Sequence, residues 1–120
     1  MRTGEHLAIV RPDATVQSAI TAMSAAHSGA CVITHPDGTL AGIFTHGDFA
    51  RSYQLDPAIG ARPVGDFMTV DPVSVPATHL AAEAVKTISD HRVDDIVVTD
   101  SNRKPVGLVD SQDLARLKIV

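Results

Sequence analysis

The sequence predicts an α/β domain (α+β in some schemes) built from two tandem copies of one small unit, related by a pseudo-twofold. Three observations predict it. First, residues 19–51 lie over residues 84–116 without a gap at a constant offset of 65. Ala19, Val32, Thr34, Gly42, Asp48, Ala50 and Arg51 meet Ala84, Val97, Thr99, Gly107, Asp113, Ala115 and Arg116. Second, each copy sets one stretch of helical period before two short apolar runs, giving the order helix, strand, strand, helix. Third, turn chemistry falls at matched places: His35-Pro36-Asp37-Gly38 in the first copy, Asp100-Ser101-Asn102-Arg103 in the second. Neither half is large enough to bury a good core alone, so the copies should share one.

The elements follow in order. After Pro12, the spacing of Val16, Ala19, Ile20 and Met23 is that of an amphipathic helix, with Asp13 or Thr15 as its N-cap and Gly29 as its stop. Ala30 to Thr34 reads as a short buried strand and Leu40 to Thr45 as a second, with a helix beginning near His46. Residues 53–72, with Asp56-Pro57, Gly60, Pro63, Gly65 and Asp71-Pro72, read as a connector. In the second copy, Leu80, Ala84, Val85 and Ile88 give the helix after Pro76. Ile96 to Thr99 and Val106 to Val109 are strands, and a helix runs on from Ser111. The two copies are bounded as residues 1–60 and 61–120.

Composition narrows the function. At 120 residues the chain is one compact domain, with no Trp, one Tyr and three Phe. The lack of aromatic platforms and the net charge of −4, without a basic patch, argue against nucleic acid and anionic membranes as partners. No apolar run is long enough to span a bilayer and no signal peptide is seen, so a reducing cytoplasm is expected. The single cysteine, Cys31, excludes an internal disulfide and lies mid-strand, where a small buried hydrophobe is expected rather than a nucleophile. The six histidines show no His-x-x-x-His pair and no accompanying Cys-x-x-Cys, so no metal site is expected. Asp90, His91, Arg92, Asp94 and Asp95 form a charged run of the kind that usually faces solvent.

Chemistry concentrates in Gly42-Ile43-Phe44-Thr45-His46-Gly47-Asp48. With Thr45 at the N-cap and Asp48 at N3, this is close to a capping box, and a good helix start requires nothing more. The same geometry also suits a ligand. A helix N-terminus offers free N–H groups and a positive dipole end to a phosphate. The Thr hydroxyl adds a donor, the carboxylate can accept both hydroxyls of a ribose, and Gly47 lets a ligand approach the backbone. His46 stands where it can donate to a phosphate. The second copy carries Gly107-Leu108-Val109-Asp110-Ser111-Gln112-Asp113.

A tandem of helix-strand-strand-helix units, each ending on the Gly-apolar-apolar-Thr/Ser-x-x-Asp pattern, from which the second copy departs with Asp110, resembles the CBS-domain pair, or Bateman module. The lead-in Met68-Thr69-x-x-Pro72-Val73-Ser74-Val75 is of the same type. The run Met1-Arg2-Thr3-Gly4-Glu5 with Gly42 to Phe49 also resembles the regulatory C-terminal half of bacterial arabinose-5-phosphate isomerases. Those enzymes place a sugar-isomerase (SIS) domain ahead of the pair and feed synthesis of Kdo, the acid sugar of lipopolysaccharide.

The resemblance implies a non-catalytic fragment with no required cofactor. Its ligand would be AMP, another nucleotide or a cytidine sugar nucleotide, and its partner an N-terminal SIS domain. It implies two clefts: a first with Thr45, His46, Gly47, Asp48, Val73, Asp94 and Asp95, and a second, weaker one with Ile9, Gly29, Ala30, Asp110 and Asp113. Asp110 stands where a hydroxyl usually meets phosphate, and a carboxylate there repels a phosphate by on the order of a few kcal/mol. Asp94 and Asp95 likewise disfavour a polyphosphate in the first cleft. The alternative is a structural pairing module without ligand. A homodimer is expected through outer helix faces carrying Val16, Ile20 and Met23.

Overall fold

The computed structural model describes residues 1–79 and 95–110. Two sheets form the frame. The first contains β1 (Ile9–Val10), β2 (Ala30–Thr34), β3 (Leu40–Thr45) and β4 (Thr69–Val70), in that spatial order. The second contains β5 (Ser74–Pro76), β6 (Asp95–Thr99) and β7 (Pro105–Asp110). Helix α1 (Val16–Ala26) precedes β2, and α2 (His46–Leu55) follows β3 directly. In each sheet a parallel pair precedes an antiparallel hairpin: β1 on β2 then β2 on β3, and β5 on β6 then β6 on β7. The irregularities coincide as well, at Ile33/Thr34 and at Val98/Thr99, positions 65 apart. The expected helices over Leu80 to Ile88 and from Ser111 lie outside the described residues.

The lead-in strands cross over. Strand β4 belongs to the lead-in of the second copy, yet it pairs antiparallel with β3 of the first, Gly42 opposite Val70 and Ile43 opposite Thr69. Reciprocally, Arg2 bridges Leu108 of β7, with Arg2 N donating to Leu108 O at 2.7 Å and Leu108 N to Arg2 O at 3.0 Å. Each copy therefore completes the other's sheet. The stretch expected as a plain connector contains this strand and two short 3₁₀ turns, Ile59–Ala61 and Val64–Asp66.

The seam is apolar and built from equivalents. Val32 and Ile43 of the first sheet share a buried cluster with Val97 and Leu108 of the second, their partners at the offset of 65. Ala30 and Leu40 complete it. The opposite face of the first sheet presents Cys31, Ile33 and Phe44 to Val16, Ala19, Met23 and Ala26 of α1. Alternation along β2 thus sends successive residues to two different cores, which is why that strand is buried throughout. Fully burying side chains such as Phe44, Met23 and Ile33 contributes about 1.5–3 kcal/mol each.

Two expectations are corrected. Helix α1 is capped by Thr15, whose hydroxyl accepts from Ser18 N, but it is not stopped by Gly29. The left-handed position is His27, at φ 53°, ψ 41°, where the helix ends. Two of the three residues offered for a dimer face, Val16 and Met23, are not on an outer surface, whereas Ile20 is half-buried. Val16 and Met23 have no exposed surface, covered by the sheet and by Ile59 and Val64 from the stretch after α2. Backbone bonds hold that stretch down: Val16 N to Arg62 O at 2.9 Å, Val64 N to Ala14 O at 2.8 Å and Gly65 N to Pro12 O at 2.9 Å.

Candidate functional site

The β3–α2 junction forms as the spacing requires. Thr45 is extended (φ −114°, ψ 167°) and caps α2. Its hydroxyl accepts from Asp48 N at 3.1 Å, while Asp48 Oδ2 accepts from Thr45 N at 2.9 Å and from Thr45 Oγ1 at 3.1 Å. This reciprocal capping box satisfies donors that a helix start otherwise leaves open. Asp48 is buried for a charged residue, at 8% exposure.

The other carboxylate oxygen is held by side chains. Asp48 Oδ1 accepts from Arg51 Nη2 at 2.7 Å and from Thr69 Oγ1 at 3.3 Å. Thr69 arrives on the crossed strand β4, so the cap of the first copy is touched by the lead-in of the second. The Arg51 guanidinium lies back over the first turn of α2. A Cβ on Gly47 would stand 3.2 Å from Arg51 Nη1 and 3.5 Å from Thr45 Oγ1. Gly47 itself is exposed, and the Arg51 guanidinium lies beside it.

Other expected residues sort as follows. His46 is exposed on the first turn; its backbone N donates to Gly29 O at 3.1 Å. A Cβ on Gly29 would come within 3.9 Å of His46 Nδ1. Ala30 pairs directly with Thr45. Gly29 and Ala30, assigned from sequence to the second cleft, thus stand beside the first cap. Val73 belongs to the second sheet, its carbonyl accepting from Val97 N at 3.1 Å. Ile9 lies on the edge strand β1, opposite Val32, and is 44% exposed. Asp95 stands opposite Asp110 across the β6–β7 ladder, where the first copy has Ala30 opposite Thr45. Asp95, assigned from sequence to the first cleft, thus stands on the second sheet, at the position equivalent to Ala30. Asp94 and Asp113 lie outside the described residues.

Sequence reasoning missed Arg51 and Thr69 as partners of Asp48. Arg51 carried a local signal, since residues three apart on a helix are neighbours. Thr69 carried none, because only the strand crossover brings it there. Cys31 is fully buried, and removal from water pushes its thiol up to about 12, against a smaller lowering from a hydrogen bond with the Val10 backbone. The first-copy turn is fixed by Asp37, which accepts from Thr39 N at 2.9 Å and Thr39 Oγ1 at 2.6 Å. These bonds hold its carboxyl below the usual value. Among the described residues no helix is long and apolar enough to cross a membrane.

Two crossed units with a shared apolar seam and a Thr-x-x-Asp cap define a CBS pair, and the chain belongs to the CBS-domain family, whose pattern matches residues 1–54 and 64–119. In sequence it is similar to the arabinose 5-phosphate isomerase KdsD of Pseudomonas aeruginosa, 37% identical over 122 residues. That match covers 100% of this chain and 37% of the relative. KdsD of Francisella tularensis is 28% identical, over 99% of this chain and 36% of the relative. The chain thus spans just over a third of the length of these relatives.

Among solved structures, a CBS-domain protein from Burkholderia ambifaria matches with TM-score 0.81 at 28% identity, covering 97% of this chain and 85% of that one. CBSX2 in complex with AMP matches with TM-score 0.80 at 19% identity, covering 99% and 92%. The second likeness speaks to the fold alone.

Proposed function

We propose that this chain is a regulatory CBS pair that binds a nucleotide, either AMP-like or a cytidine sugar nucleotide, at the Thr45–Asp48 cap. In this reading it modulates an attached SIS domain with arabinose-5-phosphate isomerase activity. The observation that carries the reading is the convergence on one carboxylate: Asp48 belongs to the first copy, and Thr69, from the second copy's lead-in, donates to it. A ribose hydroxyl bound at Asp48 contacts a point where both copies meet, so it can favour one arrangement of them over another, which is what regulation requires. The KdsD relatives, named arabinose 5-phosphate isomerases, support an isomerase as the regulated partner; a role of that isomerase in Kdo and lipopolysaccharide synthesis is part of the proposal. The AMP bound by CBSX2 supports a nucleotide as the effector.

The first cleft is the better of the two. It has a hydroxyl at Thr45 and uncharged Ala30 opposite, where the second has Asp110 opposite Asp95. In this reading the acidic residue types at those two positions disfavour a phosphate at the second mouth.

Thermal unfolding of the chain with AMP, ADP, ATP, CMP and a cytidine sugar nucleotide tests the proposal. A ligand at 100 times its Kd stabilises the folded state by about 2.7 kcal/mol, a rise of roughly 10 °C for a domain of this size. The shift should vanish in Asp48→Ala, measured against that variant's own unliganded midpoint. A shift that persists places binding elsewhere. No shift with any ligand favours the alternative, a structural pairing module, for which the complete internal satisfaction of Asp48 is the motivating observation.

A further inference from the structure

The two oxygens of Asp48 are not equivalent. Oδ2 is tied to the backbone N of Thr45 and to the hydroxyl that caps α2. Releasing it would unmake the helix start. Among the described residues Oδ1 is held by side chains alone, Arg51 Nη2 at 2.7 Å and the longer contact from Thr69 at 3.3 Å. Arg51 is itself 73% exposed along its side chain, so leaving costs it little desolvation, whereas Asp48 is 10% exposed and cannot turn to water instead. The guanidinium also lies beside the exposed Gly47, where a Cβ would stand 3.2 Å from Arg51 Nη1.

We propose that Arg51 is an internal competitor for the sugar site: it occupies Asp48 Oδ1 until a ribose hydroxyl displaces it, and it thereby sets the threshold concentration for ligand. This rests on the nucleotide reading above. The exchange is hydrogen bond for hydrogen bond at one oxygen, and the displaced guanidinium swings into solvent with its charge intact. Because Thr69 shares that oxygen, the newcomer also competes with the contact from the crossed strand β4. Displacing Arg51 and loosening the crossed lead-in are then one event.

The test uses adenosine, which has the ribose diol and no phosphate, beside AMP and 2′-deoxyadenosine, with calorimetric titration of the whole chain and of Arg51→Gln. Removing this ion pair, exposed on the Arg51 side, should tighten adenosine binding about two- to fivefold. The deoxy analogue, which lacks one hydroxyl, should gain less. An unchanged or weaker affinity of Arg51→Gln for adenosine overturns the competitor role. Weaker AMP binding with unchanged adenosine binding also overturns it, since Arg51 would then be a phosphate ligand. In both cases a wild-type chain that binds leaves the nucleotide reading standing. Absence of binding by either protein to adenosine, AMP or CMP refutes that reading and the competitor with it. The unliganded midpoint of Arg51→Gln, expected to lie within a few degrees of wild type, shows that the variant is folded.

Discussion

Adding one methyl group at Gly42 should separate the two lead-in crossings, which look alike by symmetry. A Cβ at Gly42 would stand 2.7 Å from Met68 Sδ and 2.7 Å from the backbone oxygen of Thr69. The sulfur can move; the carbonyl is part of β4, bonded into the sheet opposite Gly42 and Ile43. At the equivalent Gly107 the nearest atoms to a Cβ belong to the Met1 side chain, with Sδ at 2.5 Å, and Met1 is 49% exposed. Gly42→Ala should therefore cost about 1–3 kcal/mol, as forced overpacking does, and Gly107→Ala well under about 1 kcal/mol. For a domain of this size the first corresponds to a fall of roughly 4–12 °C in the unfolding midpoint. Urea unfolding of the two variants reads the difference directly. Adding Met68→Ala to Gly42→Ala should recover only part of the loss, because the Thr69 carbonyl stays. Equal costs at the two glycines, or full rescue by Met68→Ala, would refute the reasoning.

Two more measurements probe local features. Cys31 should resist a thiol reagent in the native state and react only on unfolding. Its folded value of about 12 lies above the ordinary 9.0, so the stability it lends is complete below pH 9.0 and lost as pH rises toward 12. Against Cys31→Ala, wild type should lose about 2–3 kcal/mol of relative stability between pH 9.0 and 11, and parallel pH profiles would show the thiol is not shielded. At the end of α1, His27→Gly should stabilise by up to about 1 kcal/mol, because only glycine adopts the left-handed region without penalty. Gly29→Ala should be nearly neutral, its nearest neighbour being His46 Nδ1 at 3.9 Å. Chemical denaturation of both variants checks the pair, and the opposite ranking would return the helix stop to Gly29.

Much of this fold is legible in the residues because its signals are local. The repeat, the hairpins and the Thr45–Asp48 cap each depend on spacings of a few residues, and the structure forms all three. What escaped is non-local. Nothing within Met68-Thr69 says that this strand pairs with β3 of the preceding copy, so Thr69 was not seen as a partner of Asp48. The burial of Val16 and Met23 is non-local in the same way. Val16 and Met23 looked uncovered because residues 53–72 read as connector, whereas Ile59 and Val64 pack on them and Phe67 and Met68 border the same core. His27 misled for another reason: a non-glycine residue took the strained position while a glycine stood two places on.

The reciprocal exchange of edge strands has a mechanical corollary. Cleavage of the backbone between residues 56 and 63 would leave two fragments that still grip one another, since the piece with Arg2 edges the far sheet and the piece with Thr69 and Val70 edges the near one. Neither half cut out alone would keep a complete sheet. A pull on the first residues would likewise be felt first at β7, more than a hundred positions downstream, rather than at the copy those residues introduce.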